Sequence, residues 1–151
     1  MTEQEVIKET RKHMRSVARK LSYAASTMNA RAIYHDNSKL ESPELEVFVE
    51  YTPKLRGVTY GSEEYKQYLK EMQVALDHHY EVNSHHPEHY ENGIDGMDLF
   101  DILEMFFDWW AATERHADGD MLRSIHQNVG RFNMSDQLFN IFVNTYERHK
   151  D

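Results

Sequence analysis

Apolar residues recur at steps of three and four through almost the whole sequence, and nowhere do they alternate with polar ones over a useful length. That pattern restricts the chain to packed helices, because only a 3.6-residue repeat gathers such positions onto one face. The expected fold class is all-α: a compact bundle of about six to seven helices. One domain is expected over residues 1–151, a length that can bury one substantial core.

Start and stop signals divide the sequence. Thr2 with Glu5 three residues later forms a capping box. The repeat Val6, Thr10, His13 or Met14, Val17, Leu21, Ala24, Met28 then predicts a first helix to about Met28. A second carries Ala30 to Tyr34 and ends near His35-Asp36. Ser42-Pro43-Glu44 opens a third, to about Leu55, with an N-cap, a first-turn proline and an acidic first turn. Arg56 to Gly61 reads as a loop, and Ser62 caps a fourth helix through about Val82.

Pro87, Asn92-Gly93 and Asp95-Gly96 mark Asn83 to Gly96 as irregular. A fifth helix, Met97 to His116, is apolar on nearly every side and is expected to be the central, enclosed one. Asp118-Gly119-Asp120 breaks it and caps a sixth helix to about Val129, and Ser135 caps a seventh that runs to the C-terminus.

Composition narrows the function classes. The chain has no cysteine, which excludes disulfides and thiolate metal sites. Seventeen basic against 26 acidic residues give a net charge of −9, which argues against gripping a long nucleic acid while leaving room for a small anionic ligand. The start, MTEQEVIKETRKH, is too charged for a signal peptide, and no apolar run reaches membrane-spanning length. The expected location is the cytoplasm, that of the host if the gene belongs to a phage, with no membrane partner and a homodimer left open.

The residues suited to chemistry fall in three places. In His35-Asp36-Asn37-Ser38-Lys39, adjacent imidazole and carboxylate at a helix end can turn onto one metal ion. His13 lies on the apolar repeat of the first helix and is expected to point inward, and Asp108 follows Asp101 and Glu104 on one stripe of the fifth helix. His13, His35, Asp36 and Asp108 would make a nitrogen and oxygen set suited to Mn, Fe, Co, Ni or Zn. The densest cluster places five histidines between His78 and His89. His79 is on the apolar side of its helix; His85 and His86 follow the helix end and suit a second metal or a phosphate.

The order His13, His35-Asp36, Asp108 resembles the H…HD…D arrangement of the HD-domain superfamily of metal-dependent phosphohydrolases. The stretch His35 to Lys39 is similar to HD-x-S-E of bacterial deoxynucleoside monophosphatases and to HD-x-G-K of cyclic-dinucleotide phosphodiesterases, and mixes the two. His85-His86 with Gly93 and Gly96 nearby resembles the histidine doublet ahead of a glycine turn in the phosphodiesterase branch. Over most of its length, with ALDHHYEVNSHHPEHY and GIDGMDLFDILEMFFDWWAA, the chain further resembles an uncharacterised family of phages and bacteria.

The resemblance implies an HD-like fold and hydrolysis of a small phosphoester, a nucleotide in particular, by one or two divalent ions. His13, His35, Asp36 and Asp108 would be ligands, and His79, His85 and His86 would complete a second site or stabilise the leaving oxygen. Asp36 and Lys39 are the expected catalytic groups; Lys39, His86 and His89 are the expected substrate contacts. Lys39 stands where the monophosphatase branch has Glu, so that branch's acid–base group does not carry over. The histidine that dinuclear members place before the doublet is missing from Thr59 to Glu64. Two other classes stay open: an HD-like di-iron oxygenase, and a non-enzymatic metal-stabilised protein that binds a ligand or a host partner.

Overall fold

The computed structural model describes residues 1–59, 62–115 and 119–150. Among these residues the chain is all-α, with seven α-helices, three short 3-10 turns and no strand. It divides into two units, Met1–His35 and Asp36–Asp151.

The first unit is one helix, α1, Glu3–Tyr34. Thr2 and Glu5 form the expected capping box, with the Thr2 N–H donating to the Glu5 carboxylate at 2.6 Å. The break expected after Met28 does not occur. The stretch from Ala24 to Ala32 contains neither glycine nor proline and is rich in alanine, so nothing there outweighs helix propagation. None of the α1 residues is buried, and Met14 and Leu21 of the predicted inward stripe are 62% and 66% exposed.

The second unit holds α2 (Glu44–Arg56), α3 (Glu63–Glu71), α4 (Gln73–Val82), α5 (Leu99–Thr113), α6 (Met121–Phe132) and α7 (Asp136–His149). Ser62, Asp120 and Ser135 cap their helices as expected, each accepting a backbone N–H from the first turn. At α2 the N-cap is Pro43 rather than Ser42, with no side-chain hydrogen bond.

The expected fourth helix is two, α3 and α4. Met72 between them has φ −81° and ψ 1°, and it is buried. No glycine or proline in the sequence announces this break. The fifth helix starts at Leu99, directly after its N-cap Asp98, which forms a capping box with Asp101. Its expected end at His116, Asp118 of the break, and Gly61 of the earlier loop lie outside the described residues.

The core of this unit joins α5, α6 and α7 through Met105, Phe106, Met121, Ile125, Met134 and Phe142. The α5 helix is less enclosed than its composition predicts: only Asp101, Met105 and Phe106 are buried, and Leu99 is 75% exposed. Beside the core, four polar side chains among the described residues are buried: Glu44, His79, His85 and Asp101. Asp101 ties the segment after α4 to α5, accepting from Ser84 Oγ at 2.7 Å and from the Tyr90 hydroxyl at 2.6 Å.

Candidate metal centre

Asp36 opens the second unit in the left-handed region, φ 57°. Aspartate tolerates that region better than most residues, and the turn starts a 3-10 segment at Asn37–Leu40. Within that segment the Lys39 ammonium donates to Asp36 Oδ2 at 2.6 Å. That ion pair occupies one carboxylate oxygen and leaves Oδ1 facing the histidines.

The last turn of α4 supplies His79, and the chain then reverses so that His85 and His86 return beside it. Asn83 fixes the reversal, its amide donating to the His79 carbonyl and to Ser38 Oγ, each at 2.8 Å. Pro87 is buried at the start of the next 3-10 turn and stops the segment from rejoining the helix.

The side chains converge. Nε2 of His79 lies 3.3 Å from Asp36 Oδ1, and Nε2 of His85 lies 3.4 Å from the same oxygen. Nε2 of His86 is 2.9 Å from that of His79. Asp36, His79, His85 and His86 each offer one ligand atom within 4.8 Å of the others, and Asp108 offers an oxygen within the same range of Asp36.

Two carboxylates stand behind the imidazoles. Glu44, 0% exposed, accepts from Nδ1 of His79 at 2.9 Å and from Nδ1 of His78 at 2.7 Å. Glu104 Oε1 lies 3.2 Å from Nδ1 of His85. Each backing carboxylate meets the ring nitrogen opposite the one that faces Asp36.

Electrostatics prepares the donors. Burial alone would raise the Asp36 pKa, but hydrogen bonds from His79 and His85 and the Lys39 ammonium outweigh it and hold the carboxyl well below its usual range. Burial, and then the neighbouring His85 and His79, push His86 down to about 3, so at neutral pH it is an uncharged imidazole with a lone pair to offer.

The donor set itself tests whether a cation fits. Three imidazoles and one carboxylate at these separations match the nitrogen and oxygen ligation of a first-row divalent ion. Carboxylates behind the histidines are the usual outer partners of such ligands. The residues therefore fit a metal ion.

A protein-family model described as a family of unknown function (DUF5662) matches residues 2–148. The chain belongs to that family. No curated protein and no solved structure matches it significantly.

Of the predicted site residues, this family member brings Asp36, His79, His85 and His86 together and sets Asp108 beside Asp36. His35 ends the first unit as the C-cap of α1 and adjoins Asp36 through one peptide bond. His13 does not join His35: it lies on the unbroken helix that His35 caps, 22 positions away (35 − 13), which is about 33 Å along the axis at 1.5 Å per residue. His13 is also exposed, as its helix buries nothing.

His89 is exposed and donates Nδ1–H to the Tyr80 carbonyl at 2.9 Å, outside the histidine group. On the α5 stripe the three carboxylates diverge in role: Asp101 is structural, Glu104 meets His85 and Asp108 meets Asp36. Sequence reasoning missed Glu44, which reads as an ordinary helix-starting acid after Pro43. No spacing in the sequence links it to His79, 35 positions later.

Proposed function

We propose that the Asp36–Asp151 unit binds one or two divalent transition metal ions (Mn, Fe, Co, Ni or Zn) and hydrolyses a small phosphoester, with a nucleotide as the substrate class. The observation that carries the metal is the convergence of Asp36, His79, His85 and His86. The phosphoester rests on the resemblance of His35-Asp36-Asn37-Ser38-Lys39 to HD-type phosphohydrolases and on a cation beside that carboxylate. No helix of the described residues is long and apolar enough to cross a membrane.

A bound divalent ion supplies Lewis acidity, lowering the pKa of a coordinated water and polarising a phosphoryl oxygen. The chain's own residues do the rest. Lys39 donates one N–H to Asp36 and, 34% exposed, retains further donors for an anionic oxygen of the substrate. Asp108, within ligand range of Asp36, would hold a second ion or accept a proton from the attacking water. Neutral His86 can bind an ion or donate to a phosphoryl oxygen.

The test is a phosphatase screen of the chelated protein reloaded with each candidate ion, over nucleoside monophosphates, cyclic nucleotides and nucleoside triphosphates. Phosphate release that depends on the ion and disappears in His79→Ala supports the reading. An ion-loaded protein that hydrolyses none of these overturns it, and oxygen-dependent turnover with iron would move it to the oxygenase class.

A further inference from the structure

Glu44 is the most deeply buried carboxylate among the described residues, and both of its oxygens are committed to neighbouring histidines of α4. Its position at the first residue of α2 gives it a favourable interaction with the helix dipole. That interaction explains an acidic residue there; it does not explain why the side chain turns inward onto two imidazoles. A carboxylate can only accept, so both His78 and His79 must present Nδ1–H to it.

For His79 the consequence is chemical. With Nδ1 committed as the donor, an uncharged ring carries its lone pair on Nε2, which faces Asp36 Oδ1 at 3.3 Å and His86 Nε2 at 2.9 Å. That tautomer ligates a cation from the side where the other donors lie. His78, partly exposed, takes the second oxygen of Glu44 and stops the carboxylate from rotating.

We propose that Glu44 is a positioning residue: it selects the Nδ1–H tautomer of His79 and aims Nε2 into the metal centre. This rests on the metal-centre reading given above. Glu44 does not touch the ion, and it acts through His79. His78 supports it as a buttress without contributing a ligand.

The experiment uses the full chain and zinc as the probe. Zinc affinity is measured by competition with a chelating dye for the wild type and for Glu44→Gln, and the His79 ring nitrogens of the zinc-loaded wild type are assigned by 15N spectroscopy. The expected result is zinc on Nε2 with a protonated Nδ1, and a 10- to 100-fold weaker affinity in Glu44→Gln at a temperature where the variant remains folded. A purely structural Glu44 would lower the melting temperature without changing the affinity, which overturns the proposal. Zinc on Nδ1 of His79 overturns it too, and that readout needs no variant. If the wild type binds no zinc or other divalent ion, the metal-centre reading fails and takes this inference with it. Tight wild-type binding that Glu44→Gln leaves unchanged removes only the role of Glu44.

Discussion

Nε2 of His79 and Nε2 of His86 stand 2.9 Å apart, with Asp36 Oδ1 3.3 Å from the first. Two imidazole lone pairs at that separation repel unless a proton or a cation lies between them. On the proposed reading a metal ion would resolve the repulsion in the native state only, and so would stabilise it by mass action. At a hundredfold excess over Kd the gain is about 2.7 kcal/mol, and chelation should lower Tm by on the order of 5–10 °C. Differential scanning fluorimetry with and without chelator reads this directly. The response should vanish in His79→Ala.

The contrast between two histidines shows what sequence could and could not convey. His13 and His79 both sit on the apolar side of a helical repeat. Only His79 is buried, at 2% exposure, because α4 packs into the second unit while α1 buries none of its residues. Periodicity names the face of a helix that would be buried; it does not say that a partner covers that face. Local signals fared better. The caps at Thr2, Ser62, Asp120 and Ser135 act within one turn, so the sequence contains both members of each hydrogen bond. Glu44 and Glu104 act on histidines far along the chain, so neither contact is written locally, and no glycine or proline marks the break at Met72.

Acid should destabilise the ion-free protein through His86. Its folded pKa is pushed to about 3, whereas the unfolded ring titrates near 6.5. Between those values the unfolded chain binds the extra proton, so stability rises with pH across the window and is lost as pH falls below about 6.5. Urea midpoints of the chelated protein at pH 7 and pH 5 should therefore differ, with the lower midpoint at pH 5. His86→Gln should flatten that difference.

Lys39 separates chemistry from ion binding. Its ammonium pairs with Asp36 Oδ2 at 2.6 Å and does not belong to the ligand cluster. Lys39→Met should keep the metal content and lower phosphoester turnover about a hundredfold, the equivalent of about 3 kcal/mol for one preorganised charged partner. Metal analysis and kcat on the same preparation check both halves. Unchanged kcat would reduce Lys39 to an ion-pair partner of Asp36.

Gly96 tests the packing that holds the segment after α4. A Cβ there would come within 2.8 Å of Tyr90 Cβ, and the Tyr90 hydroxyl is bonded to buried Asp101. Gly96→Ala should cost about 1–3 kcal/mol, the usual range for overpacking. A urea denaturation curve indistinguishable from wild type would contradict this account of the segment.

The central claim is a divalent ion held by Asp36, His79, His85 and His86, and anomalous diffraction at the metal edge tests it most directly. Crystals grown with cobalt or zinc should give one dominant anomalous peak among these four side chains, roughly 2.0–2.3 Å from their nitrogen and oxygen ligand atoms. An ion-soaked crystal with no peak there, or with its peak at other residues, would contradict the claim.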